Sequence, residues 1–346
     1  MNKIIYFILF CLLFNYINLK CYFDNNRKTN PVYILTFNKT FNPNNNDKNG
    51  FHPINFYLDF SLYDTQFFST EIYKDKIKNE LITTAKKLSE IIHIKNNKLI
   101  EINSNLSICH PSLTHFNTSI RNGIKADLLI YPFFSKLEKS KYTTGGICIS
   151  DKQTSRPVVG YLLINEYYNL ISPKVIKRIF QVELIHQFIH ILGFNWGFLS
   201  YFPNLEYRYY EKNEHVERMG YNFNVVTELV NNAADKYYEN VNGVSLVNHN
   251  IKNKVESHWT VYLNYYDIMR PNDFRDDIIS EFTLSFLEDS GWYKINLASC
   301  GCSNNGECFF NKNPYEFNIN KYGLQCYENN LNKQSDDFQL YFLYCD

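Results

Sequence analysis

The chain has 346 residues, of which 45% are hydrophobic and 17% aromatic, and its 35 basic residues balance 35 acidic ones. This length and apolar content suffice for two packed subdomains. Zero net charge argues against nucleic acid as a partner, because proteins that bind nucleic acid carry a basic surface.

Residues 1–20 predict a secretory signal, because Lys3 precedes the apolar run Ile4–Phe14, which is too short to span a bilayer. No comparable apolar segment follows, so we expect no transmembrane segment in the mature chain. The expected location is the secretory pathway, with the protein secreted or at the cell surface. Glycosylation sequons fit this compartment, and they begin at Asn38, Asn105 and Asn117.

The first predicted elements are a strand, a loop and a helix. Pro31–Phe37 has the composition of a strand, and residues 38–55 form a polar segment rich in asparagine and proline that predicts a loop. Glu71–Ile94 alternates apolar and charged residues at helical spacing, which predicts a helix that covers a sheet.

Two further strands and a long helix are predicted next. Ala126–Phe134 and Pro157–Asn165 are aliphatic or β-branched runs of strand length. The segment between them contains lysines and Gly145-Gly146, and it is expected to be a loop. A helix is expected over about residues 172–192.

This helix carries the main chemical signal, which is a pair of histidines four residues apart, His186 and His190. On a helix both imidazoles leave the same face about 6 Å apart, which suits one metal ion. Gly193 can end the helix in a conformation that only glycine adopts cheaply. Two histidines packed in a helix are the alternative. A hydrolytic zinc site needs three protein ligands, and the downstream candidates are His215, His249 and His258.

The last third of the chain combines an insertion, a helix and a cysteine-rich tail. The insertion covers Trp196–Ser257, and its aromatic residues favour a small core over a cleft wall. Within it, Phe223–Tyr237 has helical periodicity. Arg275–Asp289 predicts another helix. Nine cysteines occur, and Cys11 lies inside the predicted signal, which leaves an even number that favours disulfides. Several of them lie in residues 299–346, which predicts a small disulfide-bonded tail.

An ordered set of motifs resembles the leishmanolysin family of zinc metallopeptidases, which are metzincins. It comprises Ala126-Asp-Leu-Leu-Ile-Tyr131, Arg156-Pro-Val-Val-Gly160, the HxxxHxxGF run from His186, Ser257-His-Trp259, Asp267-x-Met269 and Leu287-Glu-Asp-Ser-Gly-Trp-Tyr293. The compact metzincin pattern is excluded, because Trp196 stands where its third ligand would be.

The resemblance implies an α+β, metzincin-like fold. Residues 21–195 would form an N-terminal subdomain with a sheet and the zinc helix, and residues 196–298 a C-terminal subdomain with the third ligand and the Met-turn. Residues 299–346 would be the tail.

The resemblance also implies the site. His186, His190 and His258 would bind one Zn²⁺, with Met269 as the apolar floor beneath them and His249 as the reserve for the third ligand. Cys109 and Cys148 lie in family contexts that imply a disulfide between them.

One departure concerns catalysis, because the family has glutamate where this chain has Gln187. That glutamate is the general base, and an amide cannot accept the proton. Losing a general base typically costs about 10²- to 10⁴-fold in rate. Glu183 is the only acid inside the zinc helix, and we expect it at the surface or an edge. The alternatives are that it supports a ligand imidazole or that it replaces the missing base.

Two functional hypotheses follow. The first is a zinc metalloendopeptidase scaffold that acts on proteins or peptides and is impaired by Gln187. The second is an inactive zinc-binding pseudopeptidase with a role in protein binding or cell adhesion. A secreted structural protein without metal is a third, less favoured reading.

Overall fold

The structure is a computed structural model, and it describes the following residues: 33–35, 40–41, 50–66, 71–95, 97–100, 110, 113, 123–135, 143–166, 173–202, 206–209, 223–237, 243–249, 254–260, 267–271 and 279–296. The predicted signal, the sequons, Cys109, His215 and the tail lie outside these residues.

Strands and helices alternate irregularly along the chain. The strands are β1 Tyr33–Leu35, β2 Thr40–Phe41, β3 Phe51–Pro53, β4 Phe56–Leu58, β5 Ile92–Lys95, β6 Asn97–Ile100, β7 Ile124–Lys125, β8 Leu128–Ser135, β9 Thr143–Asp151, β10 Pro157–Asn165, β11 Glu206–Tyr209, β12 Phe223–Val226, β13 Val244–His249, β14 Lys254–Trp259 and β15 Tyr293–Ile295. The helices are α1 Ser61–Thr65, α2 Glu71–Ile91, α3 Pro173–Leu192, α4 Glu228–Tyr237 and α5 Glu281–Asp289. This mixture confirms the α+β class.

The largest sheet of the described residues has the strand order β1-β9-β10-β8-β4. β8 and β10 are parallel, and β9 runs antiparallel to β10. Nearly every residue of β8 and β10 is buried, which explains their continuous aliphatic runs. The strand predicted at Pro157–Asn165 is confirmed. The strand predicted at Ala126–Phe134 is also present, but it covers Leu128–Ser135.

The segment with Gly145-Gly146 was expected to be a loop, and this expectation is wrong, because both glycines lie in β9. A Cβ at residue 145 would lie 3.2 Å from the Ile191 side chain of α3, and one at residue 146 only 2.5 Å from the Tyr161 ring. The glycines therefore let a helix and a ring approach the strand closely.

Other boundaries also differ from the predictions. Residues 38–55 contain β2 and β3 in addition to loop. The helix expected over 71–94 ends at Ile91, and the chain continues directly as β5, which pairs with β3 and β15. Residues 223–237 are not one helix, because β12 is drawn into a sheet by β11 and β13 before α4 begins.

The start of α5 also differs from the predicted start at residue 275. The helix begins at Glu281, because the Ser280 side chain caps it by accepting from the backbone N–H of Thr283. Asp289, the last residue of α5, accepts from the backbone N–H groups of Leu229 and Val230 and so caps α4.

The main core lies between the large sheet, α2, α3 and the C-terminal elements. α2 contributes Ile77, Leu81 and Leu88, which are buried at helical spacing. Phe198 and Phe202, from the predicted insertion, pack on Trp292, which favours the core reading of these aromatic residues. None of the helices in the described part of the chain is long and apolar enough to cross a membrane.

The sheet β11-β12-β13-β14 positions the C-terminal half of the site. β14 pairs with β13 through Leu246 and Trp259, and Trp259 is fully buried. The indole contacts Phe194 and Phe286 edge to face, with ring centroids 5.0 and 5.9 Å away. These contacts hold the end of β14 against the end of α3.

Candidate metal centre

Two histidines of α3 form the first half of the centre. His186 and His190 are one helical turn apart, and both side chains are fully buried. Their Nε2 atoms are 3.0 Å apart. The spacing on the helix therefore brings both nitrogen atoms to one point, as the sequence predicted.

β14 brings His258 to the same point. Its Nε2 lies 3.3 Å from Nε2 of His190 and 3.3 Å from Nε2 of His186. Zinc–nitrogen bonds of about 2.0 to 2.1 Å in a tetrahedral arrangement place ligand nitrogens about 3.3 Å apart. The three imidazoles therefore fit a zinc ion, and this is the cluster in the described residues that can hold a metal.

The far side of each α3 histidine is fixed by a backbone carbonyl. Nδ1 of His186 lies 2.6 Å from the carbonyl oxygen of Ile268, and Nδ1 of His190 lies 2.9 Å from that of Phe194. A carbonyl only accepts, so each Nδ1 carries the proton and each Nε2 presents its lone pair to the centre. This tautomer is the one that binds a metal through Nε2.

Gly193 allows the contact between His190 and the Phe194 carbonyl. It follows α3 with a φ of +118°, a conformation that favours glycine, and this turns the chain so that the Phe194 carbonyl faces His190. A Cβ at residue 193 would also lie 2.8 Å from the Trp292 ring.

A carboxylate stands behind the third histidine. Oε2 of Glu256 lies 3.8 Å from Nδ1 of His258. The neighbouring Ser257 hydroxyl accepts from the backbone N–H of Trp196 at 3.2 Å, which ties β14 to the segment after α3. Trp196 thus contributes its backbone where a compact metzincin site would use a side chain.

The electrostatics of the cluster favour a neutral imidazole at His186. Burial, and after it the neighbouring His258, lowers the pKa of His186 to about 3, although its hydrogen bond to Ile268 acts in the opposite direction. A histidine must be neutral at Nε2 to bind a metal, so His186 is in the ligand form at neutral pH.

A tight turn over residues 267–271 lies beside His186, which donates to its Ile268 carbonyl. It closes through the backbone N–H of Arg270, which donates to the Asp267 carbonyl, and it holds Met269 fully buried. The Met269 carbonyl accepts from the backbone N–H of Trp259 at 2.9 Å, so the turn is joined to the residue after His258. One turn therefore contacts both halves of the centre.

The Asp267 carboxylate holds this turn in place. It accepts from the backbone N–H groups of Met269, at 2.5 Å, and Ser280, at 3.2 Å, and from the hydroxyls of Ser280 and Thr283. Thr283 in turn accepts from the Trp259 indole N–H at 2.9 Å. Burial raises the pKa of Asp267 to about 6, while the hydrogen bonds from Ser280, Met269 and Thr283 lower it.

Gln187, which the resemblance placed at the position of a general base, follows His186 in α3. Its side chain is buried, and Oε1 accepts from the backbone N–H of Gly145 at 2.6 Å. Because a backbone N–H only donates, the orientation of the amide is fixed with its oxygen on β9.

Glu183 was expected at the surface or an edge, and the surface position is wrong, because the side chain does not face solvent. The side chain is 4% exposed, and Oε1 accepts from the backbone N–H of Thr143 at 2.8 Å. The close packing of α3 on β9, which the sequence did not reveal, buries this acid.

Two other residues singled out in the sequence are His249 and Cys148. His249 is the last residue of β13, and its side chain is not among those described. Cys148 lies in β9 and is disulfide-bonded. Its partner lies outside the described residues, so its pairing with Cys109 stays a prediction.

Sequence reasoning missed the two backbone carbonyls that orient histidines, those of Ile268 and Phe194, and the hydrogen bonds that the Asp267 carboxylate accepts around the turn. Only Asp267 left a signal, because an aspartate two residues before a buried residue often accepts that residue's N–H in a turn. A backbone carbonyl leaves no trace in the sequence.

Comparison with known protein families gives one result. A family model described as leishmanolysin matches residues 76–341, which is most of the chain. Comparison with curated proteins gives no significant match.

Proposed function

Because the chain belongs to the leishmanolysin family of zinc-dependent peptidases, we propose that it is a metalloendopeptidase scaffold whose hydrolytic activity is impaired by Gln187. Its substrates or ligands would be proteins or peptides. His186, His190 and His258 would bind a single Zn²⁺.

The convergence of three buried Nε2 atoms at 3.0–3.3 Å carries the proposal. The Nδ1–H groups of His186 and His190 donate to backbone carbonyls, so the Nε2 atoms of both histidines direct their lone pairs toward one another. Lone pairs at this distance repel unless a cation lies between them. Bound zinc polarises a peptide carbonyl and lowers the pKa of water to about 7.

The residues around the cluster would keep its geometry. The Ile268 and Phe194 carbonyls orient two imidazoles, and the Glu256 carboxylate, 3.8 Å from Nδ1 of His258, would favour a proton on that nitrogen. The turn at residues 267–271 would act as the Met-turn of the family, with Met269 as an apolar floor.

Impairment follows from the chemistry of residue 187. A carboxamide has no basic site at neutral pH, so it cannot take a proton from water. Its only oxygen is also bound to the Gly145 N–H. A glutamate has a second carboxylate oxygen, so it could keep that contact and still accept a proton.

The same contact favours a second candidate, an inactive pseudopeptidase that binds zinc and a protein partner, with a role in adhesion. In that case Gln187 serves the structure alone. We further propose that the chain enters the secretory pathway and is secreted or displayed at the cell surface, where the disulfide of Cys148 is stable.

Turnover of a generic protein substrate by the zinc-loaded protein tests this proposal. We expect Gln187→Glu to raise the rate at least about tenfold, within the range that a general base supplies. Gln187→Met, which removes the amide and adds no base, is the control and should stay at or below the wild-type rate. Equal rates for the wild type and Gln187→Glu would refute the assignment of the base position. Zinc binding without cleavage by either protein would favour the pseudopeptidase.

A further inference from the structure

Two side chains of α3 bind the backbone of β9, one turn apart. We propose that Glu183 and Gln187 form a two-point clamp, called here the β9 clamp, that positions this strand on the metal-binding helix and covers the side of Thr143 and Gly145 that faces away from β10. This role does not depend on zinc or on hydrolysis.

The repeat distances of helix and strand match at the clamp. Glu183 and Gln187 are four residues apart, which is a rise of about 6 Å along a helix. Their donors, the N–H groups of Thr143 and Gly145, are two residues apart, which is about 6.6 to 6.8 Å along a strand. The two hydrogen bonds, of 2.8 and 2.6 Å, are therefore formed together without distortion.

Both donors lie on the side of β9 that faces away from β10, and they precede residues 149–151, which pair with β1 on that side. In an antiparallel pair the N–H groups point alternately toward and away from the partner strand. Thr143 and Gly145 pair in register with Ile164 and Leu162 of β10, yet their N–H groups donate to α3. They therefore point away from β10.

Gly145 is what allows the helix to come this close. A Cβ there would lie 3.1 Å from the Gln187 carbonyl oxygen and 3.2 Å from the Gln187 Cβ. Gly160 on β10 has the same effect, since its Cβ would lie 2.4 Å from Ile191. Residues 183, 187 and 191 thus form one ridge of α3 that lies along β9 and β10.

The residues of the clamp are buried, so water cannot replace the side-chain acceptors. Glu183, Gln187 and Thr143 are all less than 5% exposed, so water does not reach these donors in place of the side chains. An extended peptide that pairs with this part of β9 must first displace both side chains. The clamp therefore explains why an acceptor is needed at residue 187 even without catalysis.

Amide hydrogen exchange of the full-length protein at Thr143 and Gly145 tests the clamp. Methionine keeps the length of each side chain and removes the acceptor, whereas the exchange of Glu for Gln keeps it. We expect Gln187→Met to speed exchange at Gly145, and Glu183→Met at Thr143, at least about tenfold. Gln187→Glu and Glu183→Gln should restore wild-type protection at the same amides.

The amide of Leu162 in β10 is the internal control, and Glu90→Met, at an exposed position of α2, is the control for the substitution. Unchanged exchange in both methionine variants would overturn the proposal, as would equal exchange in the methionine and conservative variants. If the methionine variants do not fold, rapid exchange at Thr143 and Gly145 of the wild type overturns it, and protection there equal to that of Leu162 supports it.

Discussion

The two sides of the histidine cluster are held by different kinds of contact. On the β14 side, the Ile268 carbonyl, Glu256 and the Asp267 carboxylate lie behind the imidazoles or behind the turn beside His186. On the β9 side, Gln187 and Glu183 turn away to the backbone of the strand. The β14 side thus serves the metal position, and the β9 side serves the fold.

This difference separates metal binding from proton transfer. The hydrogen bonds from His186 to the Ile268 carbonyl and from His190 to the Phe194 carbonyl are made by backbone acceptors, so a change of side chain at residue 187 leaves these acceptors in place. A site of this kind can lose catalysis while it keeps its metal geometry. Variants on either side of the cluster should therefore have distinct signatures.

The largest effect on the β9 side is expected from the disulfide of Cys148. If its partner is Cys109, the closed loop has about 40 residues, and removing it should lower the free energy of unfolding by roughly 4 kcal/mol in the chain-entropy model. Urea unfolding of the Cys109→Ser/Cys148→Ser double variant measures this. Peptide mapping that links Cys148 to another cysteine would contradict the pairing.

A smaller effect is expected from Asp267→Asn on the β14 side. The variant loses a charged acceptor for the Met269 and Ser280 N–H groups, so the free energy of unfolding should fall by about 1.5 to 3 kcal/mol. Zinc affinity should fall as well, because the turn presents the Ile268 carbonyl to His186.

Asp289→Asn is the matched control for that variant. Asp289 also caps a helix by accepting backbone N–H groups, but those groups belong to α4. It should lower stability in thermal unfolding and leave zinc affinity unchanged. Equal loss of zinc affinity in both aspartate variants would show that Asp267 acts only through general stability.

The smallest effect is expected from Glu256→Gln. The carboxylate lies 3.8 Å from Nδ1 of His258, which is too far for a hydrogen bond, so its loss should weaken zinc binding by no more than about tenfold, the lower end of the range for groups around a metal ligand. Competition with a chelator measures the zinc affinity, and Glu90→Gln at an exposed position is the control. An affinity equal to that of the wild type would remove Glu256 from the supports of the centre.

The sequence predicted the parts of the fold that depend on local pattern. The end of α3 and the whole of β10 lie where periodicity and aliphatic runs placed them. The convergence of His186 and His190 followed from helical spacing alone, and the approach of His258 agrees with the family motif.

The parts that escaped prediction depend on tertiary contact. β9 contains two adjacent glycines, which predict a loop when read locally, and it is a strand because α3 and Tyr161 cover them. Glu183 reads as a surface acid until β9 buries it. The first residues of the segment 223–237 have helical periodicity but form β12, because they pair with β11 and β13.

The most direct test of a metal centre built on these three histidines is the zinc content of the purified protein and two variants. We expect about one zinc per chain in the wild type, strong loss in His258→Ala and no loss in His249→Ala. A wild type without zinc, or loss of zinc in His249→Ala but not in His258→Ala, would contradict the account.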